Sequence, residues 1–431
     1  MPFTNIKTFV PLFAVSFFVS FCTICNAQDT LKITMQDAEK QFLQKNLSLI
    51  AEKYNIDINK AAIKQAKIWD NPDLSFASNI YDGNKYPFYH AKSNYGGQFD
   101  ISWMQLFKVA KQRKKLTDLL TDNALIAEQQ FNDVMNSLRY TLKTDLYTVV
   151  GLLETQKMYK TQLDALQPLV SGMEVQLEKG NISAKENLRI KALVFDLQSN
   201  ILENNHALTE TEVELRELLQ LPTSTFILPQ LSITDISIPT VTTASVDSLL
   251  EIAKNNRPDY KVATLQTTLQ EHNLTYQKAL AKPNVSAGVT YGHQGNYANN
   301  LVSFQIGLPI PVFDRNQVNI QIAKIDIKQQ SAQNEVLISK IKSNIDEAVL
   351  KMTLSYQLYA GQQKDFMLKY DDMRTKMLQS YKNKEIGLLE FTDFISSYSD
   401  TKLQLINQLT NIKKNIEDLN MACGTTIIKN N

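Results

Sequence analysis

Two stretches of this chain repeat one another closely enough to dictate how it folds. Thr34-x-x-Asp37 and Ser245-Val246-Asp247-Ser248 each read as a helix N-cap, with a hydroxyl placed to accept from an unpaired backbone N–H. They lie 211 residues apart, and the same offset carries Leu49 onto Tyr260. It also carries Asn71-Pro72-Asp73-Leu74 onto Lys282-Pro283-Asn284-Val285, where each first helix is expected to stop. Residues 34 to about 219 and 245 to about 422 share one order: helix, strand, loop, strand, very long helix, turn, helix. A unit repeated in this way depends on its neighbour for a complete structure.

Only 13 Gly and 12 Pro punctuate 431 residues, which favours long uninterrupted elements. Residues 1–27 read as a secretory signal, with Lys7, an apolar run from Phe9 to Phe21, and Cys25-Asn26-Ala27 before Gln28 as the cleavage site. Phe21 before Cys22 and Ile24 before Cys25 argue against lipidation, which needs a small residue there. Beyond the leader the chain carries 44 basic and 44 acidic residues and one thiol, Cys423, so it holds no intrachain disulfide. Balanced charge gives no footprint for nucleic acid. No later run approaches the roughly 18 apolar residues of a membrane-spanning helix.

From Lys108 to about Lys179, apolar residues recur at three-and-four spacing through Leu116, Leu119, Phe131, Leu138, Leu142, Leu146 and Leu153. Such spacing predicts an amphipathic rod or coiled coil, roughly 105 Å long for about 70 residues. Asn316 to about Asn383 repeats it. Each rod meets a short turn, at Gly180 or at Lys384 to Gly387, and then a returning helix of about 35 residues. Between each first helix and its rod lie two alternating segments, about 73–81 and 97–107, then 284–292 and 301–310. Val285, Ala287, Val289 and Tyr291 oppose Ser286, Gly288 and Thr290, and Val302, Phe304, Ile306 and Leu308 oppose Ser303, Gln305 and Gly307. This suits a strand with lipid on one side and water on the other, and equally an amphipathic strand on a soluble sheet.

The domain reading is therefore a leader at 1–27, a first repeat at 28–220, an extended linker at 221–244, a second repeat at 245–424 and a tail at 425–431. If the strands meet a membrane, four per chain leave open edges in hydrocarbon, at several kcal/mol for each unpaired group. Closure then needs other chains: two barely reach the usual eight-strand minimum, and three give a twelve-stranded barrel with helices continuing as a tube.

Here the chain resembles the TolC-like outer-membrane channels of tripartite efflux and type I secretion systems. The opening Leu31-Lys32-Ile33-Thr34, Ala38 through Asn46-Leu47, Asn71-Pro72 and the turn around Gly180 and Ser183 look like that family's first half. Pro309-Ile310-Pro311-Val312-Phe313-Asp314-Arg315-Asn316-Gln317 is similar to its heavy-metal and cation subgroup. The resemblance implies a mainly α chain with a small β part. It also implies a homotrimer with a β-barrel in outer-membrane lipid, a helical tunnel across the periplasm, and a tip that opens on engaging an adaptor (membrane fusion) protein. The pump beyond it would be of the resistance-nodulation-division type or an ABC transporter. A polypeptide secretion duct and a coiled-coil adaptor or scaffold without a pore are the alternatives.

Glu390 and Asp393 sit three residues apart, on one helix face, and match the acidic pair lining the family's closed aperture. Three-fold repetition makes each a carboxylate ring that favours cations, although a solvated helix face reads the same way. An offset of 204 aligns the turns and sets Glu186 opposite Glu390 and Arg189 opposite Asp393, so Arg189, with Lys185, is expected to pair with the acidic residues and hold the tip shut. Gly180, Asn181, Ser183, Lys384 and Gly387 are candidate adaptor contacts, and Tyr81, Trp103 and Tyr291 candidate interfacial aromatics. Met352, Met367, Met373 and Met377 read as helix packing rather than soft-metal ligands. No His-Glu-x-x-His or glycine-rich phosphate loop is present, and His90, His206, His272 and His293 lack ligand spacing, so neither an enzyme nor a cofactor or metal site is expected.

Overall fold

The computed structural model describes residues 29–79, 98–236, 245–295, 297–361 and 364–430. The expected leader, Tyr81, the loop from Asp82 to Asn94 and the linker's last residues, 237–244, lie outside them. The described chain opens with β1 (Thr30–Ile33), α1 (Met35–Lys45) and α2 (Leu47–Lys67). Then come β2 (Asp73–Ser78), β3 (Gln98–Phe107), α3 (Gln112–Glu178) and α4 (Ala184–Leu219). After β4 (Phe226–Pro229) in the linker, the second repeat gives α5 (Val246–Asn256), α6 (Pro258–Leu280), β5 (Val285–Gln294), β6 (Ala298–Gly307), α7 (Gln317–Gly361), α8 (Lys364–Lys382) and α9 (Leu388–Cys423).

Both N-caps read from the sequence form: Thr34 accepts from Asp37 N–H and Ser245 from Ser248 N–H. Each first helix, expected as one, is nevertheless two. The breaks fall at Asn46 and Arg257, again 211 apart, both extended at φ −63°, ψ 120° and φ −65°, ψ 124°. At Arg257 the cause is Pro258, whose ring disfavours helical backbone in the residue before it. At Asn46 the side chain caps Leu49 N–H while its amide donates to the Leu218 carbonyl at 3.0 Å. Arg257 ties the second corner in the matching place, donating to the Ala422 carbonyl at 2.8 Å and gripping Asp259 through two nitrogens.

The first rod is a single helix of 67 residues, about 100 Å long at 1.5 Å per residue. The second is described as 45 and 19 residues, on either side of 362–363. Both returning helices have 36 residues. Each ends in a left-handed residue, Gln220 (φ 51°) and Gly424 (φ 68°), with the next N–H bonded five residues back, Leu221 to Arg216 and Thr425 to Asn420.

Three hydrophobic clusters hold the helices together. One joins α1, α3, α4 and β4 around Phe42, Leu146 and Leu215; a second joins α5, α7 and α9 around Ile345, Met352 and Ile412; a third runs along the hairpins from Tyr147 to Met173 on α3, with Ile190 of α4 and Phe391 of α9. The linker is not a free tether: β4 pairs in parallel with β1, Thr30 opposite Phe226 through Ile33 opposite Pro229. The stretch called a tail also packs, with Ile428 buried and both its N–H and its carbonyl bonded to the Asn420 side chain. The single thiol, Cys423, is the buried last residue of α9, and burial pushes it up to about 11. Of the methionines, Met352 packs in the core, but Met373 is exposed on α8, whose main neighbour is α9 and which also reaches α3 where the Tyr381 hydroxyl meets Met173.

Candidate channel wall and tip

The four strands form one antiparallel sheet in the order β2-β3-β5-β6, with β2 and β6 as open edges. Register sorts its side chains into two faces. Leu74, Trp103, Val289 and Phe304 stand in one cross-strand row, and Phe76, Ile101, Tyr291 and Val302 in the next, all exposed. Ser75, Ser102, Thr290 and Ser303 form a row on the other face, where Ser102 and Thr290 hydroxyls meet at 3.0 Å. Exposing large apolar residues in contiguous rows is costly in water and ordinary in lipid. Trp103 sits mid-row, Tyr291 donates to Asn300 at 2.8 Å, and Tyr81 lies outside the described residues. Trp69, which sequence reading passed over, marks the sheet's lower end edge-on to Phe107, with the Arg113 guanidinium 4.0 Å above its ring. The fourth strand ends at Gly307, earlier than the expected 310, because Pro309 and Pro311 have no N–H for a ladder.

The helices continue the sheet as one wall. Near it α2 packs on α3, α3 on α6 and α6 on α7, the order of the strands they adjoin. Further along, α4 packs on α3, α3 on α9, and α9 on both α7 and α8. One flank of the wall is thus α2, β2 and α4, and the other is β6, α7 and α8. Exposed apolar residues concentrate on those flanks: Tyr54 and Ile58 on α2, Leu188, Phe195 and Leu202 at heptad spacing on α4, and Val336, Leu350, Leu354 and Leu358 on α7.

At the far end the two hairpins turn alike. Gly180 (φ 71°) and Lys384 (φ 61°) are both left-handed, and the N–H groups of Asn181 and Glu385 bond back to Gln176 and Ser380. The next helices start differently. Ser183 forms a full capping box with Glu186, whose carboxylate takes the Ser183 N–H at 2.8 Å and its hydroxyl at 2.9 Å. Those bonds hold the Glu186 carboxyl below its usual range. Gly387 offers no side chain, so α9 has no such cap, and Glu390 at the matching position stands exposed with no bond to a described residue. Glu385 instead takes the Ser380 hydroxyl and the Asn383 amide, which lower its pKa.

Arg189 reaches across the two hairpins of one chain, donating to Asp393 and to the Thr392 hydroxyl, both at 3.0 Å. Side-chain exposures of 41% and 65% place the ion pair at the surface. Lys185 is exposed and pairs with no described residue. Thr392 as the second partner of Arg189 had no sequence signal, nor had Lys191 bonding Glu174 at 2.6 Å between the legs of the first hairpin. The Ser183-x-x-Glu186 box was legible, since it is the standard spacing of a reciprocal cap.

No sequence-family model and no curated protein sequence matches the chain. Solved structures do. The chain is similar to CusC, described for its conformational changes on folding and transmembrane channel formation, at 18% identity and TM-score 0.71, over 91% of this chain and 92% of that one. It is similar to the outer membrane protein VceC of Vibrio cholerae at 14% identity and TM-score 0.69, covering 91% and 97%. The open state of the Neisseria gonorrhoeae MtrE outer membrane channel matches at 14% identity and TM-score 0.70, covering 91% and 89%. The fold is that of the TolC-like outer-membrane channels.

Proposed function

We propose that the protein is the outer-membrane exit channel of an efflux system, a trimer whose twelve strands close in lipid above a helical tunnel that crosses the periplasm. The observation that carries this reading is the open sheet: lipid-type rows on one face, hydroxyl rows on the other, two unpaired edges, and helices in the same order below. Its edges need partners in hydrocarbon, and copies of the same chain supply them. Each chain then contributes two quasi-equivalent wall segments. A coiled-coil adaptor without a pore has no use for such a sheet.

The cargo is a solute, with heavy-metal cations and drugs as the classes to try first. An adaptor would meet the turns at Gly180 to Ser183 and Lys384 to Gly387, and an inner-membrane pump of the resistance-nodulation-division or ABC type would stand beyond it. At the tip, Glu390 and Asp393 repeat three-fold as carboxylate rings that favour cations. Arg189 restrains Asp393, and three such exposed links at ~0–1 kcal/mol each make a weak latch that an adaptor can release. The test is purification in mild detergent followed by reconstitution in planar bilayers. A mass of three chains and cation-selective conductance are expected, with the selectivity reduced in Glu390→Gln with Asp393→Asn. A monomer, or a conductance indifferent to that double substitution, overturns the assembly or the rings respectively.

A further inference from the structure

One joint of the wall is made inside the chain, and the chain carries both halves of a second that it cannot close by itself. The internal joint seats the β3–α3 junction on the α6–β5 corner. The Gln112 side-chain amide donates to the carbonyls of Ala279 (3.0 Å) and Lys282 (3.2 Å), and Val109 N–H donates to Asn284 Oδ1 at 3.3 Å. Gln112 is 2% exposed there.

The parts of the second joint follow from the register. Pairing of β2 with β3 and of β5 with β6, together with the offset of 211 from β2 to β5, fixes an offset of 205 from β3 to β6. That offset also carries left-handed Lys111 (φ 58°) onto left-handed Asn316 (φ 57°), and Gln112 onto Gln317, each the first residue of its rod. The offset of 211 carries the α6–β5 corner back to the α2–β2 corner, so Ala279, Lys282 and Asn284 correspond to Ile68, Asn71 and Asp73. These two half-joints lie on opposite flanks of the wall. Gln317, unlike Gln112, is exposed and makes only local bonds, donating to the Phe313 carbonyl at 3.2 Å and accepting from Arg315 N–H at 2.8 Å, so it must give up the first to reach another copy. Leu308, Ile310, Val312 and Phe313 beside it and Ile68 and Trp69 at the other corner are exposed as well.

We propose that residues 308–317 of one copy dock on the α2–β2 corner of a second copy, with Gln317 donating to the carbonyls of Ile68 and Asn71 of that copy as Gln112 does within the chain. The inference rests on the channel reading above. Register extends it: Phe107 opposite Val285 becomes Val312 opposite Leu74 of the second copy, and Gln105 opposite Ala287 becomes Ile310 opposite Phe76. In the single chain β6 ends at Gly307 and Val312 N–H turns back to the Ile310 carbonyl at 2.9 Å, so docking straightens this segment and carries the alternation of Phe304 on to Ile310 and Val312, opposite Phe76 and Leu74 of the same apolar face. Prolines 309 and 311 fall on the opposite parity, so this part of the seam is held by apolar contact and the Gln317 amide rather than by a full ladder.

Cysteines placed at paired positions of adjacent strands lie within disulfide range. The test is the full chain with Leu74→Cys and Val312→Cys, oxidised in outer-membrane vesicles, thiol-blocked and run under denaturing, non-reducing conditions. Species of two and three chain masses are expected, absent from either single variant and from the unsubstituted chain. Phe107→Cys with Val285→Cys is the control and closes within one chain. An intact trimer in mild detergent with a closed control but no cross-link from the test pair overturns the proposal and leaves the channel reading standing. Cross-linking only when Val312→Cys is replaced by Leu308→Cys overturns the register. A chain that is monomeric in the membrane overturns the channel reading and the seam together. Gln317→Ala should lower the temperature at which detergent separates the trimer without changing the helix content of the separated chains; an unshifted temperature removes Gln317 from the seam.

Discussion

The two repeats build the same wall with different local chemistry, and the differences lie at their ends. Gln220 and Gly424 close equivalent helices in the same left-handed turn, but Gln220 is exposed whereas Gly424 is pressed against the Arg257 backbone. Ser183 and Gly387 start equivalent helices with the same backbone, yet only Ser183 caps its helix. Among described carboxylates, those raised by burial are Asp133, Asp145 and Glu212, all in the first repeat. At the matching helix starts, then, the first repeat uses Glu186 in a cap, whereas the second leaves Glu390 exposed. The duplicated backbone is kept at both helix starts while the side chains on it differ.

The largest expected effect comes from the helix ends. A Cβ on Gly424 would stand 2.9 Å from the Arg257 backbone nitrogen in a conformation that disfavours side chains, so Gly424→Ala should cost about 3 kcal/mol and lower the thermal unfolding midpoint. Gln220→Gly, at the equivalent residue, should raise it by the equivalent of about 0.5–1 kcal/mol, since it relieves left-handed strain. Equal signs for the pair would break the equivalence of the two ends.

Next in size is Asp145, whose carboxyl is pushed up to about 6 chiefly by burial, with Glu214 adding to the rise and Lys414 opposing it. One of its oxygens has no hydrogen-bond partner. The folded state therefore holds this proton more tightly than the unfolded chain, and the resulting penalty is absent below pH 4, develops between pH 4 and 6, and is complete above. Asp145→Asn should stabilise the protein at pH 7.5 by on the order of 2 kcal/mol and have little effect at pH 4, as read by unfolding midpoints across that range. A gain of the same size at both pH values would trace the effect to packing rather than charge.

Smaller again is the cap. Ser183→Ala should lower the unfolding midpoint by the equivalent of about 1 kcal/mol. Gly387→Ser, introduced where nothing stands within 4 Å of a new Cβ, should build the missing box and draw Glu390 into it. Its signature is a stability gain coupled to reduced cation preference in bilayers; a gain with unchanged preference would take Glu390 out of the ring. The smallest thermodynamic effect belongs to Arg189→Ala, under about 1 kcal/mol because the pair is exposed. Its readout is a larger resting conductance, and no increase would sink the latch.

Much of the architecture was legible in the sequence because the signals are periodic. Three-and-four spacing fixed the rods, alternation fixed the strands and their two faces, and Gly180 marked the turn of the first hairpin. The split of each first helix was half legible: Pro258 announces it, but Asn46 breaks its helix through a bond to Leu218, which is 172 residues away. At the tip, charge and spacing picked out Arg189 and Asp393, and the structure brings them together; it also puts the Glu186 carboxylate in a helix cap, a local use its spacing from Ser183 already allowed.

The sequence by itself determined the duplication, the lengths of the rods and the two-faced strands, since these follow from local periodicity and from offsets along one chain. Only the tertiary structure decided the order of the elements across the wall, the pairing of β1 with β4, the packing of the final residues around Asn420 and the reach of Arg189 to Thr392. Those contacts join residues far apart in the chain, and each depends on how neighbouring helices are rotated and stacked, which no local pattern encodes.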